Sequence, residues 1–351
     1  MNLTNELIKN SDSLIISFDS KNGNNVQKIN FNSFLLEKLS HQLGIISSII
    51  DFHVVFWILK TIKFLKRNIN EFDCLHISCS PILTNLIGYY FSFFYSKKWI
   101  VHLYDPLVDN SFINKNSINK FFLKKIESLY IKKSDIVITV NKKQFNILAE
   151  RYVDNKNKLY MLNQTFSSIT TKKQNVKINN SNEIVMLHAG RIYGDRNLDL
   201  IISSLKQIKS NKNNFKFLFI GSEINISHIP SSLKSYFEFL PRLSKSDLRN
   251  FYDKCDYLLL IDSMIDESVF LSSKIGEYLS LNKPIVALTL KNSATYIELK
   301  NIDSYLLTNE KNLINFLITI QKPNKNLKYD SLKEKYKIKN VVRHYNNLIK
   351  N

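Results

Sequence analysis

Two arginines stand five positions apart in "HAGRIYGDR", Arg191 and Arg196. They follow an apolar run and precede a helical pattern, so they belong at a strand exit. Guanidinium forks match phosphate oxygens bidentately, and such a pair can hold one polyanion. Two solvated arginines in a basic chain would look the same. Further on, "SSKIGEYLSLNKPIVALT" (272–289) opens with Ser272, Ser273 and Lys274 and carries Glu277 one turn into a helical pattern. The free N–H groups of a helix start attract an anion, and the dipole adds to this. The serine hydroxyls add donors, or simply cap the helix; Lys274 assists at the anion, or faces solvent. Turned toward a ligand, Glu277 would accept hydrogen bonds from sugar hydroxyls; turned toward water, it is a good helix former. Gly221, after "FKFLFIGS", permits close backbone approach or a plain tight turn. Cationic groups, a helix start and a carboxylate together suit a nucleoside diphosphate, with the cations on the diphosphate and the carboxylate on the ribose.

A second group lies earlier. Asp105 and His102 follow the apolar run "KWIVHLY" (98–104). A carboxylate at a strand exit can orient an acceptor hydroxyl, or Asp105-Pro106 can merely shape a turn. His102 reads as a ligand contact or a core histidine. The three cysteines, Cys74, Cys79 and Cys255, form no disulfide framework, and no second Cys/His pair at metal spacing accompanies them. Neither a metal nor a cofactor is expected.

These residues need elements to hold them. Short apolar runs alternate with helical patterns along most of the chain: strands are expected at 13–18, 74–78, 98–104, 135–140 and 158–162, then at 183–190, 215–222, 236–240, 256–262, 284–290 and 304–308. Helices are expected at 81–96, 118–134, 197–210, 245–255, 273–281 and 310–321, the fourth opened by a Ser244/Asp247 capping box. That alternation predicts parallel sheets covered on both faces, in two doubly wound α/β domains facing a cleft. The expected boundaries are 1–165, a polar linker at 166–182, 183–330, and a basic helix at 331–351 that packs on the first domain. In such sheets ligands sit beyond the carboxyl ends of strands, which is where the candidate residues fall.

The chain has 351 residues and a net charge of +19, so its partners must tolerate or want positive charge. Lysines beside aromatics in 57–67, 91–99 and 118–133 suit an anionic membrane surface, or a solvated face over buried aromatics. The stretch 43–60 approaches a membrane span in length, but Asp51 and His53 fall inside it. A central Asp costs about 2.5–3.5 kcal/mol in insertion, so a buried or membrane-skimming helix is expected. The polar start MNLTNELIKNSD carries no secretory leader pattern, and a cytoplasmic, membrane-peripheral location is expected.

From "HAGRIYGDRNLDLIISSLKQI" to "SVFLSSKIGEYLSLNKPIVAL" the chain resembles the donor half of GT-B glycosyltransferases of family four, of the bacterial surface-polysaccharide type. "DCLHISCSPILTNLIGYYF" and "KKWIVHLYDPLVDN" resemble that family's acceptor domain. The resemblance aligns a Gly-Arg motif with Gly190 and Arg191, puts Arg196 where the family has lysine, and assigns the nucleotide ribose to Glu277. Val269 stands where the family often has an earlier glutamate, with Asp266 or Glu267 as substitutes. The glycine-rich first loop is reduced to "SKNGNN" around Gly23. The resemblance implies metal-independent transfer with retention, from a nucleotide-diphosphate sugar to a glycan or polyprenyl-diphosphate-linked acceptor. A nucleotide-sugar epimerase or hydrolase on this fold, an inactive scaffold, and a basic nucleic-acid binder are the competing readings. No zinc finger, helix-turn-helix or aromatic RNP pattern supports the last.

Overall fold

The computed structural model describes residues 15–17, 26–28, 52–110, 117–166, 183–208, 214–222, 228–323, 327 and 329–350. The chain divides into two compact units, residues 1–163 with 342–351, and residues 164–341. Gly23, most of the expected linker and the first part of the 43–60 stretch lie outside the described residues.

In the first unit β1 (Ile15–Ser17) pairs in parallel with β2 (Val26–Lys28). A second sheet runs β3 (Cys74–Ser78), β4 (Lys98–Leu103), β5 (Ile136–Thr139) and β6 (Leu159–Met161), in chain order and all parallel. The helices are α1 (Phe52–Arg67), α2 (Leu86–Tyr95), α3 (Ser117–Lys133) and α4 (Lys142–Arg151). β4 and β5 are buried almost throughout, as expected for parallel strands covered on both faces. In α1, Val54, Trp57, Ile58 and Leu65 face α2 residues Ile87 and Phe91, the i, i+3, i+4 stripe of a helix on a core.

The second unit holds a six-stranded parallel sheet. Its strands are β7 (Ile184–Ala189), β8 (Phe215–Ile220), β9 (Phe237–Leu240), β10 (Tyr257–Ile261), β11 (Ile285–Leu288) and β12 (Ser304–Leu307), in the spatial order β12-β11-β10-β7-β8-β9. Its helices are α5 (Asp199–Gln207), α6 (Lys245–Lys254), α7 (Lys274–Ser280), α8 (Ala294–Leu299), α9 (Glu310–Thr319) and α10 (Asp330–Tyr336). α6 starts as expected, with the Ser244 hydroxyl oxygen accepting the Asp247 N–H. One device recurs in both units. Asp135, just before β5, accepts the N–H of Trp99 at the start of β4 at 2.7 Å, and Asp256, just before β10, accepts that of Val185 at the start of β7 at 2.9 Å. Each carboxylate satisfies a strand-start donor that would otherwise lack a ladder partner.

The chain end departs from expectation. The single helix expected over 331–351 is two, α10 and α11 (Ile338–Lys350), because Lys337 between them is extended, at φ −62° and ψ 128°. Leu332 and Tyr336 of α10 join the core of the second unit, whereas residues from 342 onward belong to the first. There Tyr345 of α11 shares a 2.7 Å hydrogen bond with His76 Nδ1, and His76 Nε2 meets His102 Nδ1 at 3.0 Å. Among the described residues no helix is long and apolar enough to cross a membrane.

The histidine pair makes acid stability a test of this fold. Burial lowers His76 to about 4, and burial beside His76 lowers His102 as well. The unfolded chain takes up protons below about pH 6.5 while the folded chain refuses them. Stability is therefore full above pH 6.5 and falls as pH drops from there toward 4. In denaturant melts from pH 7.5 to 4.5, His76→Phe should flatten that decline by up to about 1.4 kcal/mol per pH unit. A slope equal to that of the unsubstituted chain would contradict the buried neutral pair.

Candidate functional site

The strand order of the second unit reverses at β7: β8 and β9 extend to one side, β10 to β12 to the other. At such a switch point the connections leave in opposite directions and open a crevice at the carboxyl edge. β7 and β10 pair only through Met186 with Tyr257 and Leu187 with Leu258, so the backbone beyond them needs other partners. Tyr278 of α7 supplies one: its hydroxyl accepts the Ala189 N–H at 3.3 Å and donates to the Leu259 carbonyl at 3.2 Å. His188 supplies another, with Nδ1 3.1 Å from the same carbonyl. A carbonyl only accepts, so Nδ1 carries the proton and Nε2 the lone pair. Burial, with the positive charge of Lys274 beside it, lowers His188 to about 3, and the ring is neutral.

Gly190 follows β7 with φ +120°, a conformation that other residues rarely adopt. A Cβ there would stand 2.7 Å from Lys274 Cε and 2.9 Å from Nζ. The ammonium of Lys274 therefore lies against bare backbone at the switch point. Burial, then the neighbouring Arg196, lowers its pKa to about 8. Arg196 stacks on the Tyr193 ring at 5.2 Å, and its Nε finds no hydrogen-bond partner among the described residues. Asp262, at the end of β10, is wholly buried and accepts from the Ser263 N–H at 2.9 Å and the Thr289 hydroxyl at 3.1 Å. Burial raises its pKa, and Arg196 is among the groups that oppose this. Two cations thus converge where β7 ends, over a neutral histidine and a buried carboxylate.

The cation beside Arg196 is Lys274, not Arg191. Arg191 is exposed, since the Gly190 turn sends its side chain outward while α7 carries Lys274 inward. Glu277 lies one turn further along α7 and is half-buried; burial raises its pKa, opposed by Lys245, Lys274 and Arg249. Between these residues Gly276 is needed for packing: a Cβ there would meet Tyr336 of α10 at 3.1 Å.

Of the two roles expected of the serines, capping is not seen at Ser273. Ser272 is buried, with its carbonyl accepting the Ile275 N–H at 3.1 Å. Ser273 is exposed, has helical φ and ψ, and makes no side-chain cap bond, because a cap of that kind needs an extended backbone at this position. Glu267 is exposed at φ +59°, and Val269 is buried. Gly221, at φ +74°, lets the backbone of Arg242 approach, and the Ser222 hydroxyl donates to the Gly190 carbonyl at 2.6 Å.

In the first unit Asp105 is exposed and lines a pocket of about 110 Å³ at the carboxyl ends of β3 and β4, with Cys79, Ser80, Pro81, Ile82, Tyr104, Pro106, Leu107 and Asn110. His102 is not on that lining. It is 2% exposed, stacked 4.0 Å from Tyr104 and bonded to His76: alternation along β4 puts it on the face opposite the core residues Trp99, Val101 and Leu103, where His76 and Tyr104 cover it. Among the described residues no cluster of His, Cys, Asp and Glu could hold a metal ion.

His188 and Asp262 were missed by reasoning from the sequence. The available signal was a polar residue inside, or closing, an otherwise apolar run, "IVMLHA" and "YLLLID".

Residues 183–322 match the family model described as glycosyl transferases group 1. Comparison with curated protein sequences gives no match. Among solved structures, a glycosyltransferase from Rickettsia africae ESF-5 aligns with TM-score 0.62 and 15% identity, over 100% of this chain and 94% of that one. A sucrose-phosphate synthase from Thermosynechococcus elongatus aligns with TM-score 0.64 and 10% identity, over 94% and 84%. A putative UDP-N-acetylglucosamine 2-epimerase from Listeria monocytogenes aligns with TM-score 0.56 and 12% identity, over 99% and 91%. The fold is GT-B, built of two Rossmann-like domains, and the group 1 domain makes the chain a glycosyltransferase.

The depressed Lys274 gives the site a pH signature. A lysine binds an anion as the ammonium, and this one loses its proton near pH 8. For the tightest binder among ADP, GDP, UDP and dTDP, affinity measured by calorimetry should fall by up to about tenfold per pH unit above pH 8. Lys274→Met should weaken binding and abolish that decline. A mutant with the original pH profile would remove Lys274 from the anion site.

Proposed function

We propose that this glycosyltransferase takes a sugar from a nucleotide-diphosphate donor held at the carboxyl edge of its second sheet and transfers it to a glycan or a polyprenyl-diphosphate-linked saccharide, as a step in surface-polysaccharide synthesis. The observation that carries this reading is the Lys274 ammonium lying against Gly190 beside Arg196, with Glu277 one turn away on the same helix. In this reading Lys274 and Arg196 neutralise the diphosphate as it becomes the leaving group, where fixed charges act without reorganisation. Glu277 accepts the ribose hydroxyls, and the basic residues around it favour its ionised form. Arg191, at the mouth, adds charge to the approach of the donor. Asp105 orients the acceptor hydroxyl. We assign no protein nucleophile: the chemistry is positioning and leaving-group stabilisation, without a metal and with retention.

Thermal-shift screening against nucleotide sugars identifies the donor, and product analysis with and without octyl glycosides as acceptors separates transfer from hydrolysis and epimerisation. With that donor, Glu277→Gln should weaken binding by about 1 kcal/mol, the difference between a charged and a neutral hydrogen bond. Glu277→Ala should cost more, and the loss should largely vanish for an analogue lacking the ribose hydroxyls. Equal losses with and without those hydroxyls would make Glu277 a packing residue.

The location proposed is peripheral on an anionic membrane. Phe56 and Leu59 of α1, Phe93 and Phe94 of α2, and Ile118, Phe121 and Phe122 of α3 are all exposed. Exposed lysines interleave them, among them Lys60, Lys63, Lys66, Lys120, Lys124 and Lys125. Aromatic bodies with flanking ammonium groups suit the headgroup region of an anionic bilayer. The protein should sediment with vesicles containing phosphatidylglycerol at low salt and release as ionic strength rises. No sedimentation at low salt would leave a freely diffusing acceptor as the better reading.

A further inference from the structure

The pocket around Asp105 is bounded by two loops, one after β3 and one after β4, and both hang from one face of α3. Tyr130 donates its hydroxyl to the Ile82 carbonyl at 2.9 Å. Three residues earlier, on the same face, Glu127 Oε2 accepts the Val108 N–H at 3.2 Å. Its Oε1 accepts from Arg151 Nη1 at 2.6 Å and from the Tyr152 hydroxyl at 3.1 Å. Arg151 Nη2 in turn lies 2.9 Å from both oxygens of Asp109. Val108 and Asp109 are neighbours on the loop that carries Asp105, so the loop is held at two adjacent points by α3 and α4.

Glu127 is only 1% exposed. A carboxylate this buried is a poor route to stability, because its desolvation offsets most of the attraction to Arg151 and apolar residues would often serve as well. What apolar residues cannot do is direct a backbone N–H and a carboxylate of one loop to fixed points. We propose that Glu127 and Arg151 are positioning residues: they hold the 104–110 loop so that Asp105 and Asn110 line the pocket, and so determine which hydroxyl-bearing acceptor fits it. This rests on reading the pocket as the acceptor site.

The test uses the full chain with Arg151→Lys, which keeps the charge and loses the planar fork, and with Asp109→Asn, which spares the buried Glu127. Three quantities are measured: amide hydrogen exchange across 104–110, KM for octyl glucoside and octyl N-acetylglucosaminide at saturating donor, and affinity for the nucleoside diphosphate. Exchange at Val108 should quicken about tenfold or more and acceptor KM should rise about fivefold or more, with nucleotide affinity unchanged. Unaltered exchange and KM in folded variants would overturn the proposal. So would a matching loss of nucleotide affinity, which would signal general loosening. Asp105→Ala separates the two levels: if it leaves acceptor KM unchanged while Arg151→Lys still quickens loop exchange, the loop is positioned as proposed and the acceptor reading falls.

Discussion

Every described strand pairs in parallel with its neighbours, and the rest of the molecule follows from that constraint. Parallel strands need crossover helices, the helices cover both faces, and the strands become almost wholly apolar. Polar chemistry is thereby pushed to the carboxyl edge, where chain direction delivers every strand-to-helix loop. In the second unit one further fact decides where along that edge the chemistry gathers. β7 and β10 pair for two residues and then part, and the freed backbone is taken by Tyr278 and His188. Because Tyr278 sits on α7, the contact that repairs the sheet also fixes the helix bearing Lys274 and Glu277.

Charge is handled by the same economy of position. The cations of the second unit meet a histidine that burial keeps neutral and a carboxylate, Asp262, locked by a backbone N–H and by Thr289. Thr289 continues to Ser293 at 2.5 Å, and Ser293 caps α8 by accepting the Tyr296 N–H. The Ala294 N–H at the start of α8 reaches back to the Ser268 carbonyl. The loop between β10 and α7 is therefore tied at its start, through Asp262, and again at its middle, through Ser268. The first unit repeats the logic with Glu127 and Arg151 under the Asp105 loop. Buried charge in both places fixes direction, a property that apolar packing lacks.

The periodicities determined much by themselves. Alternating apolar runs and helical patterns placed the strands of the four- and six-stranded sheets to within a few residues, though not β2, and the Ser244/Asp247 spacing located the start of α6. The class of site was legible too, because arginine, lysine, serine and glutamate at strand exits and helix starts imply an anion with hydroxyls nearby. Which members of that set meet was decided only by tertiary structure. Arg191 and Lys274 look equivalent in the sequence, but one leaves the Gly190 turn outward while the other comes in on α7 from eighty residues away. His102 and Asp105 are three apart, yet one is buried between His76 and Tyr104 and the other lines the pocket. Tyr345 and His76 join across most of the chain. Local pattern fixes φ, ψ and the face of an element, because these depend on near neighbours. Pairing across a sheet edge depends on strand order and on where two strands part, and these arise only when distant segments pack together.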